Sequence, residues 1–167
     1  MNPRTAMKIG AISALLVLAS DQGSKYWILN VLDLPALRQV VLLPVLNLTM
    51  VWNHGVTFGL LTGLGSWSHF VLAAVALVVV GALCLWLRRA DNALVATSIG
   101  AIAGGAIGNV IDRLRYGAVV DFIHAHIGDW SWYVFNVADA AIVCGVAMLI
   151  LESQLLRSSK PKLTHSA

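Results

Sequence analysis

The chain has 167 residues, 59% of them hydrophobic and 11% charged, with a net charge of +3. Soluble domains carry about 25% charged residues, so this composition excludes an ordinary water-soluble domain and points to an integral membrane protein of one domain. The basic residues are dispersed in small groups, which excludes a nucleic-acid surface and fits the cytoplasmic loops of a membrane protein.

Crossing a bilayer takes about 20 mostly apolar residues. Four segments qualify, at 9–28, 70–87, 93–111 and 133–151, and residues 1–157 read as a single membrane domain. Arg4 and Lys8 ahead of an apolar run resemble a secretory signal, but cleavage there would leave an odd number of spans and discard Asp21 and Lys25. Those two residues are four apart, acid first, and share a helix face. Next comes a long connecting segment. It predicts two short strands, 40–43 and 45–51, joined at Pro44, then a short amphipathic or interfacial helical turn at 56–64 between Gly55 and Gly65.

The third span carries Gly100, Gly104 and Gly108 on one face, where small residues let a neighbouring helix approach closely. That stripe is expected to draw the third and fourth spans together. Asn109, Asp112 and Arg113 follow at its outer end, and Asp121 lies beyond in an apolar stretch, 117–123. The fourth span holds Asn136 and Asp139, three residues apart, with Asp139 inside the span about 9 Å along the helix from Tyr133. Cys84 and Cys144 lie in apolar segments without a CxxC and read as packing residues. Residues 158–167 are polar and read as a disordered cytoplasmic tail.

Four spans put both termini on one side, together with Arg4, Lys8, Arg88, Arg89, Arg157, Lys160 and Lys162; the positive-inside rule makes that side the cytoplasm. The opposite face receives Asp21, Asp33, Asp112, Asp121, Asp129 and Asp139, along with Trp27, Trp52, Trp67, Trp130 and Trp132. Polar chemistry is therefore gathered at one membrane face.

Asp21–Lys25 and Asp112–Arg113 read as pairs that neutralise one another, and Asn136 as a cap or a bridge between helices. Asp121 and Asp139 have no basic residue within a helical turn. An aspartate at a helix centre costs about 2.5–3.5 kcal/mol, so a retained one points to function. Two such carboxylates, brought together, share one proton. The ionised member then takes a proton from water while the protonated member polarises a peptide carbonyl.

Other chemistries fit less well. Ser24 and Lys25 are neighbours and do not face each other on a helix. HExxH is absent, and His124 and His126 read as polar loop residues rather than metal ligands, so neither a metal nor another cofactor is expected. A small proton-coupled transporter is the alternative from a different class. It needs polar groups spread through the bilayer, and 9–19, 78–87 and 142–151 are nearly free of them.

Five stretches stand in order: Asp21-Gln-Gly-Ser-Lys25, Asn53-His-Gly-Val-Thr-Phe58, Gly104-Gly-Ala-Ile-Gly-Asn-Val-Ile-Asp-Arg113, Val119-Val-Asp-Phe-Ile123 and Phe135-Asn-Val-Ala-Asp139. Together they resemble the lipoprotein signal peptidases, the signal peptidase II family of bacterial inner membranes. The resemblance implies a mainly α membrane protein: four transmembrane helices, a small periplasmic β-sheet cradle and a short periplasmic amphipathic helix. It implies an aspartic endopeptidase that cuts diacylglyceryl-modified prolipoproteins just before the lipid-bearing cysteine. Asp121 and Asp139 take the place of the catalytic dyad, and Asp21, Lys25, Asn53, Asn109, Asp112, Arg113 and Asn136 that of substrate-binding or supporting residues. Thr57 stands where alanine is common in the family. The expected partners are prolipoprotein substrates and membrane lipids, with no nucleic acid, and the expected state is a monomer in the inner membrane with both termini cytoplasmic and the site facing the periplasm.

Overall fold

The structure is a computed structural model describing residues 1–55, 67–128 and 130–158. The expected helical turn at 56–64, Thr57, Asp129 and most of the polar tail lie outside the described residues. Helix α1 (Pro3–Tyr26) continues into a π turn (Trp27–Val31) and the short α2 (Leu34–Leu37). Strands β1 (Gln39–Leu43) and β2 (Leu46–Asn53) follow, then α3 (Ser68–Leu87), α4 (Ala93–Tyr116), β3 (Val119–Ile127), β4 (Trp130–Ser131) and α5 (Val137–Ser158).

Among the described residues three helices are long and apolar enough to cross a membrane: Ser68–Leu87, Ala93–Tyr116 and Val137–Leu155. In α1 the apolar stretch is shorter, bounded by Arg4 and Lys8 at one end and by Asp21 and Lys25 at the other. α3 turns Val75, Leu77, Val78, Val79 and Leu85 outward, which lipid accepts and water does not. α4 is the buried centre and packs against α1, α3 and α5.

The glycines explain that centre, but not as the stripe suggested. A Cβ at Gly100 would collide with the Gly10 backbone, and one at Gly104 with the Ala14 backbone. This face of α4 therefore meets α1, not α5. Residues four apart keep to one face, and the neighbouring positions serve the other partner. Contact with α5 is made through Gly105, whose added Cβ would lie 2.6 Å from the Ala138 carbonyl oxygen, and through Gly145, 2.9 Å from that of Ser98.

Beyond one end of the bundle lies a four-stranded antiparallel sheet in the order β1-β2-β3-β4. The two strands expected around Pro44 form, and β3 joins them as a strand that the sequence did not announce. β3 lacks a simple alternating pattern because Val119, Val120, Asp121 and Phe122 are all buried. Its inner face sends Val120 and Phe122 into a cluster with Ile28, Leu34 and Leu48, which ties the sheet to the end of α1. Gly117, at φ +72°, ends α4 and turns the chain into β3.

The fourth span also starts later than expected. Phe135 exchanges backbone hydrogen bonds with Ile123 at 2.8 and 3.0 Å, so the chain is bridge-like there, and α5 begins at Val137. Asp139 accordingly lies in the first turn of α5, not deep within a span. A carboxylate at a helix N-terminus is favoured by the helix dipole, so the cost of an acid at a helix centre is not incurred.

Gly104→Val drives two methyl groups at the Ala14 main chain, which cannot yield as a side chain would. The expected loss is about 1–3 kcal/mol, visible as a lowered melting temperature of the detergent-solubilised protein.

Candidate active site

Period-two geometry places the first carboxylate. Between the inward Val120 and Phe122, Asp121 is turned to the other face of β3 and remains only 1% exposed. It lies opposite Val51 on β2, and Asn53, two residues further along β2, donates its Nδ2 to Asp121 Oδ2 at 2.9 Å. The Asn53 amide can face only one way, because its Oδ1 already accepts from the Gly55 backbone N–H at 2.8 Å.

Helix capping places the second carboxylate. Asn136 precedes α5, and its Oδ1 accepts the Asp139 N–H at 2.9 Å, while Asp139 Oδ2 receives the Asn136 N–H at 3.4 Å. This is the reciprocal geometry of a capping box. The Asn136 Nδ2 then donates to Asp121 Oδ1 at 2.7 Å and to Asn109 Oδ1 at 3.2 Å. Asn109 in turn donates its Nδ2 to Asp139 Oδ1 at 2.8 Å. Two amides thus join the carboxylates of β3 and α5, and Asn136 both caps and bridges.

Behind the amides sits a buried charge cluster. Lys25 is 3% exposed and reaches Asp21 Oδ2 at 2.8 Å, Asp112 Oδ2 at 2.7 Å and Asn109 Oδ1 at 3.3 Å. The expected Asp112–Arg113 pair does not form among the described residues. Consecutive helical positions diverge by about 100°, so Asp112 turns to Lys25 while Arg113 turns elsewhere. Asp112 also accepts from the Val120 N–H at 3.1 Å, and Asp21 from the Ala138 N–H at 3.0 Å, pinning the starts of β3 and α5 to the cluster. Arg113 donates to the Asn109 carbonyl at 3.3 Å, and its buried Nε has no partner among the described residues.

All nine residues singled out from the sequence therefore fall in one connected network. One member escaped notice. Gln22 reaches Asp21 and Asp112, at 3.1 Å each, with the same amide nitrogen. It adjoins Asp21 in the same short motif, and a polar side chain one step from a buried acid was the available signal.

Asp121 opens on a groove of about 820 Å³ that Asn53 and His54 also line. Burial pushes the Asp121 carboxyl up to about 6, and the nearby charge of Asp139 pushes in the same direction, against the pull of the Asn53 and Asn136 amides and of Lys25. At the other end of the bundle the polar side chains of Ser13 and Ser98 turn back to helix carbonyls, of Thr97 and Leu94. The ionisable network is confined to the sheet end. Among the described residues no group of three or more His, Cys, Asp or Glu side chains is placed to hold a metal.

Comparison with known proteins shows the family. The family described as Signal peptidase (SPase) II matches residues 13–155. A lipoprotein signal peptidase of Methylorubrum extorquens is 50% identical over 149 residues, covering 89% of this chain and 87% of that protein. One from Beijerinckia indica is 45% identical over 153 residues, covering 92% and 90%. Among solved structures, a bacterial membrane enzyme determined by the in meso method at 2.3 Å resolution superimposes with a TM-score of 0.76 at 27% identity, over 95% of this chain and 94% of that one. With a family match that spans both carboxylates and every amide between them, the chain belongs to the signal peptidase II family and is a membrane-bound aspartic protease.

Proposed function

We propose that Asp121 and Asp139 are the catalytic dyad of an endopeptidase that cuts diacylglyceryl-modified prolipoproteins just before the lipid-bearing cysteine. The observation that carries this is the Asn136 side chain, which touches Asp121 at 2.7 Å while its own carbonyl caps Asp139 at 2.9 Å. It fastens two acids from separate elements into a single unit. Asp121 accepts an N–H at each oxygen, as an ionised carboxylate does. Asp139 Oδ2 has only the long 3.4 Å backbone contact and has room for the shared proton.

The steps follow from these roles. Asp121 takes a proton from water as its oxygen attacks the scissile carbonyl carbon, and Asp139 gives its proton to the carbonyl oxygen. The tetrahedral intermediate collapses as the C–N bond breaks; the leaving amine of the cysteine takes the proton from Asp121, and the hydroxyl proton returns to Asp139. Arg113, whose Nε has no partner among the described residues, is a donor for the oxyanion or for a substrate carbonyl.

Orientation follows from charge. Arg4, Lys8, Arg88 and Arg89 are exposed at the end of the bundle away from the sheet. Together with α1, the three apolar helices make four spans, both termini lie in the cytoplasm, and the dyad faces the periplasm of a bacterial inner membrane. There a monomer meets a substrate whose acyl chains remain in lipid while its peptide enters the groove, walled by Trp52, Trp132 and Val134.

Asp121→Asn and Asp139→Asn should each lower cleavage of a diacylated lipobox peptide by about a thousandfold or more while the melting temperature stays near wild type. Wild-type turnover by either variant would remove the dyad. Asp121 takes up a proton near 6 with the charge of Asp139 beside it, and that is the proton the pair shares, so the wild-type rate should fall as pH rises through about 6 and the pair becomes doubly ionised. Asn53→Ala removes an amide that holds that value down, so the alkaline limb of kcat/KM should move to higher pH. Lys25→Met leaves two carboxylates buried without their cation; a loss of about 3–5 kcal/mol in unfolding is expected, together with lost activity.

A further inference from the structure

The groove does not end at the dyad. Past Asn53 and Asp121 it is lined by His124, Ser131, Trp132 and Tyr133, none of which belongs to the carboxylate–amide network. His124 is three residues beyond Asp121 on β3, about 10 Å along an extended strand. Both of its ring nitrogens are engaged: Nδ1 lies 3.1 Å from Thr49 Oγ1 and Nε2 lies 2.6 Å from Ser131 Oγ. The imidazole thus spans from β2 to β4 and holds Ser131 in one place.

When Nε2–H donates to Ser131 Oγ, the hydroxyl keeps its own hydrogen to give away. Among the described residues the remaining acceptor for it is the Trp132 carbonyl at 3.3 Å, long for an O–H···O bond. Ser131 is exposed to the groove and Trp132 and Tyr133 are exposed beside it. A fixed donor with a poor internal acceptor, flanked by two aromatic faces, suits the backbone of an extended peptide.

We infer that His124 and Ser131 form a subsite for the substrate backbone about three residues beyond the scissile bond; this rests on the dyad reading above. An extended peptide rises about 3.3 Å per residue, so three residues cover the roughly 10 Å from Asp121 to His124. Direction follows from the topology. β3 leaves the helices at Gly117, so the His124 end of the groove is the end remote from α4. The apolar signal-peptide half of the substrate stays with the helices and lipid, and the polypeptide after the cysteine runs outward along the sheet. Ser131 Oγ–H donates there to a peptide carbonyl, which replaces that of Trp132. Trp132 and Tyr133 pack on either side of the side chain that follows.

Two lipid-modified substrates decide it, identical through the cysteine, one ending a single residue later and the other continuing for five. With wild type the longer substrate should have the higher kcat/KM by about tenfold, mostly in KM, as one well-made hydrogen bond provides. In Ser131→Ala and His124→Leu that advantage should shrink to about twofold or less, while His124→Gln, which still bonds a hydroxyl, retains most of it. An advantage as large in the variants as in wild type overturns the subsite. So does a loss of equal size on both substrates, which marks His124 as a structural clasp only. If His124→Leu does not accumulate folded, the exposed Ser131→Ala decides alone. Wild type cutting neither substrate would instead sink the dyad reading itself.

Discussion

Lys25 directs its ammonium protons at two carboxylates and one amide oxygen, and the orientation of the whole site descends from that choice. An ammonium group can only donate. Asn109 must therefore turn its Oδ1 toward Lys25, which leaves its Nδ2 for Asp139. Asn136 finds the same oxygen already facing it and donates there and to Asp121. None of these amides is free to flip without placing a donor against a donor in a buried environment. Asp21 and Asp112 hold the cation, and through the Ala138 and Val120 amides they also hold the first residues of α5 and β3. One buried positive charge thereby fixes both the direction of the hydrogen bonds and the elements that carry the acids.

The packing beneath serves the same end. α4 comes close enough to α1 for Gly108 to lie against the Asp21 carboxylate, and close enough to α5 for Gly105 to lie against Ala138. Larger residues at these points would part the helices and lengthen every contact in the cluster. Membrane helices lack a hydrophobic drive toward one another, so such close approach and the polar contacts it permits supply much of their association. The helical core and the site are one construction.

Much of this was legible beforehand. The two apolar runs after the sheet segment differ from α3 and α4 chiefly at their ends, and the strands around Pro44 declare themselves by β-branched residues and the proline between them. Five short motifs located the polar residues of the network, with only the part of Gln22 in it overlooked. What stayed hidden depended on three dimensions. β3 is covered on both faces where it carries Asp121, so it has no alternation to betray it. Tyr133 to Phe135 are as apolar as a span and give no sign that Phe135 pairs with β3 and that the helix starts only at Val137. Asp112 and Arg113 are neighbours in sequence and strangers in space. The partner of the glycine stripe, α1 instead of α5, is a matter of topology that no local pattern contains.

The cap at the start of α5 has a dynamic consequence. Helices ordinarily fray from their ends, where backbone groups lack partners and the middle turns exchange most slowly. In α5 the first turn is tied to Asp21 through the Ala138 amide and to the two acids through Asn136. Its tip is thus held by partners that the first turn of a helix ordinarily lacks. Fraying at this tip would have to break those hydrogen bonds first, so the pair of carboxylates keeps its spacing.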